Sequence, residues 1–218
     1  MAEKAIADIP ESYLEYRAEF VAPMFEVWTI PNPLVSGLFS ALRKWHIGLG
    51  DISWNKDSST YKDFQITFNV PKMSVLIRLN MDAATFVASN PDWSEAPALI
   101  ELYETAMHTI RQTTKGEISS QEIALGMHVK PGEKSFKDLM SGLVNTSLLG
   151  PAKMYGISVY QDDSSFVIDK SVRYPDSAFV RLYRRVGPST SFREIAEILH
   201  QDELRALGLL GLEEPLQG

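Results

Sequence analysis

The chain has no cysteine, no long apolar run and no surplus of positive charge, and each absence narrows what it can be. Without cysteine there are no disulfides, no thiolate metal ligands and no cysteine nucleophile. No stretch reaches the roughly 18 consecutive apolar residues of a spanning helix, so no membrane association is expected. The opening Met-Ala-Glu-Lys-Ala-Ile-Ala-Asp-Ile-Pro lacks the basic-then-apolar order of a secretory leader, and a cytoplasmic location is the expectation. The net charge of −7 argues against coating nucleic acid, because phosphate neutralisation supplies most of that affinity.

Motifs are also scarce. His46, His108, His128 and His200 are scattered, and no pair of histidines four apart with an intervening glutamate marks a metal site. Glu104 and His108 stand at i and i+4 near Glu101, the pattern of an ordinary solvated helix face. Gly126-Met-His-Val-Lys-Pro-Gly-Glu-Lys134-Ser135 has the outline of a phosphate loop but the wrong spacing, and Pro131 removes an N–H; it reads as a turn before a helix. Ser53-Trp54-Asn55-Lys56 matches a serine–x–x–lysine spacing beside a strand, where that chemistry does not belong. No metal and no cofactor is expected.

What the chain does have is a pattern that repeats. Its 218 residues suit one large domain or two intimate ones. Residues 20–115 and 116–208 each read as strand, helix, several strands and helix, after an N-terminal segment 1–19 and before a tail 209–218. Phe20 to Ile30 reads as a first strand, and Asn32-Pro33 starts a helix carrying Val35, Leu38, Phe39 and Leu42. The second copy starts with Ile118 to Val129, and Ser135 caps a helix with Phe136, Leu139, Met140 and Leu143 at the same internal spacing. Tyr61 to Val70 alternates, and Met73, Val75, Ile77, Leu79 and Met81 form the next apolar row. Tyr155, Ile157 and Val159 alternate later, followed by Phe179 to Val186. Ser94 is expected to cap a helix with Leu99, Leu102, Tyr103, Ala106 and Ile110, and Ser191 with Glu194 reads as a capping box. The expected fold is α+β: internally duplicated units forming antiparallel sheet covered by helices on one face.

Three features bear on function. From Lys170 to Arg193, six basic residues accompany one acid, Asp176. Arg173, Arg181, Tyr183 and Arg185 form the candidate ligand-binding set, since alternation puts Arg181, Tyr183 and Arg185 on one strand face and arginine forks suit anions. The leading reading of these arginines is that they pair with the chain's surplus acids along the sheet surface; contact with an anion or nucleic acid, or a protein interface, is the alternative. Early aromatics Trp28, Phe39 and Trp45 either fill the core or line a cleft. The tail from Leu204 carries glycines at 208 and 211 that argue against a long regular helix; it either folds back or docks into a partner. The leading expectation is a non-catalytic interaction or scaffold protein, associating as a homodimer or with another protein. A module binding a small apolar or anionic ligand in a cleft between the halves is the alternative, and an enzyme the third reading.

Overall fold

The computed structural model describes residues 5–28, 32–55, 63–130, 132, 135–143 and 156–213. In chain order the elements are β1 (Ala5–Ile6), β2 (Asp8–Phe20), α1 (Pro33–Leu42), β3 (Ile52–Trp54), β4 (Ile66–Val70), β5 (Val75–Leu79), β6 (Ala83–Ser89) and α2 (Ala96–Thr114). Then follow β7 (Ile118–Lys130), α3 (Phe136–Leu143), β8 (Gly156–Gln161), β9 (Ser164–Lys170), β10 (Ala178–Val186), α4 (Phe192–Leu209) and β11 (Leu212–Glu213). Nine strands form one antiparallel sheet in the order β3-β4-β5-β6-β2-β7-β10-β9-β8, and β1 pairs parallel with β11. The class is α+β.

The residues group into two compact units. The α2 unit comprises Leu14–Ile123 and Arg185–Ala196; the tail unit comprises Met1–Tyr13, Ala124–Arg184 and Glu197–Gly218. Each draws on both sides of the polar seam at residues 112–117.

In the α2 unit, strand alternation becomes a layered core. Register sets Phe68 beside Ile77 and Ile77 beside Phe86, with Ile66, Leu79 and Ala84 on one flank and Val70, Val75 and Ala88 on the other. All nine are buried, whereas Thr67, Asn69, Arg78 and Thr85 between them are not. Helix α2 covers the apolar rows with Leu99, Leu102, Tyr103, Ala106, Met107 and Ile110. Tyr103 meets Phe86 at 4.8 Å between ring centroids. Such face-covering converts a period-two strand pattern and a period-3.6 helix pattern into one core.

Local capping follows side-chain chemistry. Asn32 Oδ1 accepts from the Val35 amide at 3.0 Å, Ser135 exchanges hydrogen bonds with Asp138, and Ser191 does so with Glu194. Several expectations shift. The buried stripe of α1 is Leu34, Leu38 and Leu42, with Val35 and Phe39 only half-buried. Asp92, not Ser94, caps the turn leading into α2, accepting from the Ser94 amide at 2.7 Å. Strand β2 lies within residues expected as a lead-in and ends at Phe20, and Phe25–Val27 is a tight helical turn rather than strand. Pro71–Met73 is likewise a turn, so Met73 stands outside β5. Tyr61, Lys62, Tyr155 and residues 214–218 lie outside the described residues.

Helix α4 runs through Gly208, against expectation, and stops where Gly211 adopts φ +69°, the left-handed conformation that glycine tolerates best. Beyond it Leu212 is buried, as are Ala206, Leu207 and Leu210, so this part of the tail folds back on its own unit.

Gly126 of β7 is fixed by close approach. A Cβ there would stand 2.1 Å from Cε1 of Tyr13. Gly126→Ala is therefore expected to displace the Tyr13 ring and lower unfolding free energy by about 1–3 kcal/mol. Urea titration checks this, and the loss should shrink in a Tyr13→Ala background, where the two positions no longer collide.

Candidate functional site

The α2 unit contains a cleft of about 760 Å³. Its lining includes Glu104, His108 and Arg111, which follow one another at i, i+4 and i+7 on the flank of α2 beside its apolar stripe, and Lys115, the left-handed C-cap residue just past the helix end. The turn Pro188–Ser191, Phe192 at the start of α4 and the seam residues Gly116 and Glu117 also line it. Met107, Tyr16 and Gln121 line it too and, being buried, form its floor.

Gln121 organises that floor. Only 3% exposed, it accepts a hydrogen bond from the Tyr16 hydroxyl at 2.6 Å. Its amide nitrogen donates both hydrogens, to the Gly187 carbonyl at 2.7 Å and the Thr190 carbonyl at 3.1 Å. A carboxamide is the neutral group able to accept at one end and donate twice at the other, so one side chain ties β2, β7 and the entry to α4 together. The Tyr16 ring packs edge-on against Phe192 at 4.8 Å and Phe86 at 5.7 Å. Burial pushes the Tyr16 hydroxyl pKa upward, and the positive charge of Arg111 partly offsets this.

A second polar cluster lies in the tail unit. The His128 ring packs against Tyr174 at 5.1 Å and Phe179 at 5.0 Å. Its Nδ1 is 3.0 Å from Ser171 Oγ, which accepts from the amides of Arg173 and Tyr174. Those two bonds occupy both oxygen lone pairs, so the hydroxyl hydrogen goes to His128 and the imidazole carries its own proton on Nε2. Burial lowers the His128 pKa first, with Glu11 opposing and Arg173 reinforcing the shift. Because the Ser171 hydroxyl is buried and committed to the turn, the pair anchors the β9–β10 connection rather than pairing nucleophile with base.

The arginines marked in the sequence have partners. Arg173 pairs with Glu11, which also accepts from the Tyr174 hydroxyl at 3.1 Å. Arg185 pairs with Glu122 at 3.0 Å. Arg181 is exposed and Tyr183 half-buried on β10. Arg184, on the other side of that strand, forks onto Asp202 of α4 at 2.7–2.9 Å. Neither Arg173, Arg181, Tyr183 and Arg185 nor Trp28, Phe39 and Trp45 line the cleft. Trp45 is buried, and Trp28 packs edge-on against Phe64 at 4.9 Å. Among the described residues there is no group of three or more metal-ligating side chains. Among the described residues no helix is long and apolar enough to cross a membrane. The cleft residue pairing that sequence reasoning passed over is Arg111 with Lys115; its signal is the charged flank beside the apolar stripe of α2 and the helix end that follows it.

Two substitutions separate the polar contacts that hold the floor from one that does not. Gln121→Leu leaves the Tyr16 hydroxyl and two carbonyls unpaired, and chemical denaturation is expected to show a loss of about 1–3 kcal/mol. The Tyr103 hydroxyl is already buried without a hydrogen-bond partner among the described residues. Tyr103→Phe should therefore raise unfolding free energy, by about 1 kcal/mol, in the same assay.

No protein-family model matches the chain, nor does any curated protein sequence, so the functional reading stands on the residues and geometry above.

Proposed function

We propose that the protein is a non-catalytic interaction protein that self-associates, pairing the outer edge of β8 with the same strand of a second copy. The observation that carries this reading is the chemistry of that edge. Strand β8 ends the sheet, and its inner edge is matched residue for residue to β9, from Gly156 opposite Asp169 to Gln161 opposite Ser164. Its sequence, Gly-Ile-Ser-Val-Tyr-Gln, contains no charge and no proline. An edge strand presents alternate N–H and C=O groups to any chain that arrives, and proteins that avoid such pairing blunt the edge with lysine, proline, a bulge or brevity. The opposite edge, β3, is brief at three residues. β8 carries none of these protections, and among the described residues no further strand pairs with its outer side.

Side chains favour the same reading. Val159 is 48% exposed although it stands opposite Phe166, and Tyr160 is 75% exposed. Strand addition would supply main-chain hydrogen bonds along the edge and cover both side chains, the combination by which sheet edges take partners. A further protein with a free strand is the alternative occupant.

Size-exclusion chromatography with light scattering tests this. The wild type is expected to run as a dimer and Val159→Lys as a folded monomer of similar melting temperature, since an edge lysine opposes strand addition. A monomeric wild type, or a dimer unaffected by Val159→Lys, would overturn it.

A further inference from the structure

We infer that the cleft of the α2 unit is a binding site for a small organic anion, with Arg111 and Lys115 holding a carboxylate or phosphate and Met107, Tyr16 and Phe192 facing its apolar body. This goes beyond self-association, because it concerns a different surface and a different class of ligand.

Size and rigidity come first. A volume of about 760 Å³ lies within the range of roughly 300–1,000 Å³ typical of small-molecule sites. The floor is buried and held by the three hydrogen bonds of Gln121, so a ligand would meet a surface already in place.

Charge comes second. Arg17, Lys44, Lys130, Arg173, Arg184, Arg185 and Arg205 each pair with a carboxylate. Arg111 and Lys115 have no such partner among the described residues, although Glu104 and Glu117 line the same cleft. Glu104 is seven residues before Arg111, roughly 10 Å along the helix axis, so the helix separates that acid from the cations. Lys115 is the left-handed C-cap residue just past the end of α2, and both it and Arg111 line the cleft, where a fork and an ammonium can meet one anionic group. Glu117, two residues after Lys115, makes no ion pair with either cation among the described residues, so both remain able to meet an anion that enters the cleft.

Composition comes third. The lining sets these cations beside a thioether and two aromatic rings within a largely polar surround of serine, threonine, glutamine and glutamate side chains, so a charged head group and an apolar body each meet matching surface. A bare inorganic ion would leave that apolar part uncovered. An anion carrying an aromatic or aliphatic body matches both parts.

Isothermal titration calorimetry and thermal unfolding of the full chain with naphthyl phosphate, naphthoate, inorganic phosphate and naphthylmethylamine test the assignment. Naphthyl phosphate or naphthoate is expected to bind and raise the melting temperature, more strongly than inorganic phosphate and with naphthylmethylamine inert. Arg111→Gln and Lys115→Gln, both surface changes, should each weaken binding on the order of tenfold. Arg78→Gln, on an exposed strand position, should leave it unchanged. Which of the two anions binds better identifies the head group. Failure of both anions to bind the wild type, undiminished binding by Arg111→Gln and Lys115→Gln, or binding of the amine as strong as that of the anions would overturn the inference. None of these outcomes depends on whether the chain dimerises.

Discussion

The α2 unit depends on a single buried carboxamide. Gln121 sits where a strand, a neighbouring strand and the entry to the last helix converge, and it uses both amide hydrogens and one of its oxygen's two lone pairs. Buried polar groups that are fully hydrogen-bonded specify one arrangement, because any alternative leaves desolvated donors or acceptors unpaired. The aromatic ring of Tyr16 is thereby held at a defined angle between Phe86, Tyr103 and Phe192. The cleft inherits its floor from that contact, and α2 and the start of α4 also line it.

The sheet divides labour between its faces. In the α2 unit rows such as Phe68, Ile77 and Phe86 are buried beneath helix, while Thr67, Asn69, Arg78 and Thr85 between them are exposed or half-exposed. The arginines of the last third of the chain meet acids far away in sequence: Arg173 meets Glu11, and Arg185 meets Glu122. Exposed pairs of this kind contribute little stability individually, roughly 0–1 kcal/mol each. Their main consequence is to neutralise a basic run that, read along the chain, looks like an anion site. The fork from Arg184 to Asp202 differs, because Asp202 is nearly buried and the geometry is bidentate.

Much of the fold was legible where periodicity and capping agree. Leu99, Leu102, Tyr103, Ala106 and Ile110 have the helical spacing that buries them, and Asn32, Ser135 and Ser191 cap through short-range hydrogen bonds that depend on a few neighbours only. Strand β2 was not legible, because Glu11, Glu15, Arg17 and Glu19 on its open side mask the Tyr16, Ala18 and Phe20 row. Helix α4 passes Gly208 because Ala206, Leu207 and Leu210 bury enough apolar surface to outweigh a propensity penalty of about 1 kcal/mol. The candidate site eluded the linear reading for a related reason. Density along the chain favours Arg173, Arg181 and Arg185, whereas a site needs cations not already committed to an ion pair. Arg111 and Lys115, at the end of α2 and just past it, have no ion-pair partner among the described residues. Spatial pairing of distant acids and bases is what one sequence withholds.

Hydrogen exchange measured by mass spectrometry across a range of protein concentrations tests the self-association account most directly. Amides of Gly156–Gln161 that point outward from the sheet should become more protected as concentration rises, while amides directed toward β9 stay constant. Rapid, concentration-independent exchange at those outward amides in a sample that is otherwise folded would contradict it.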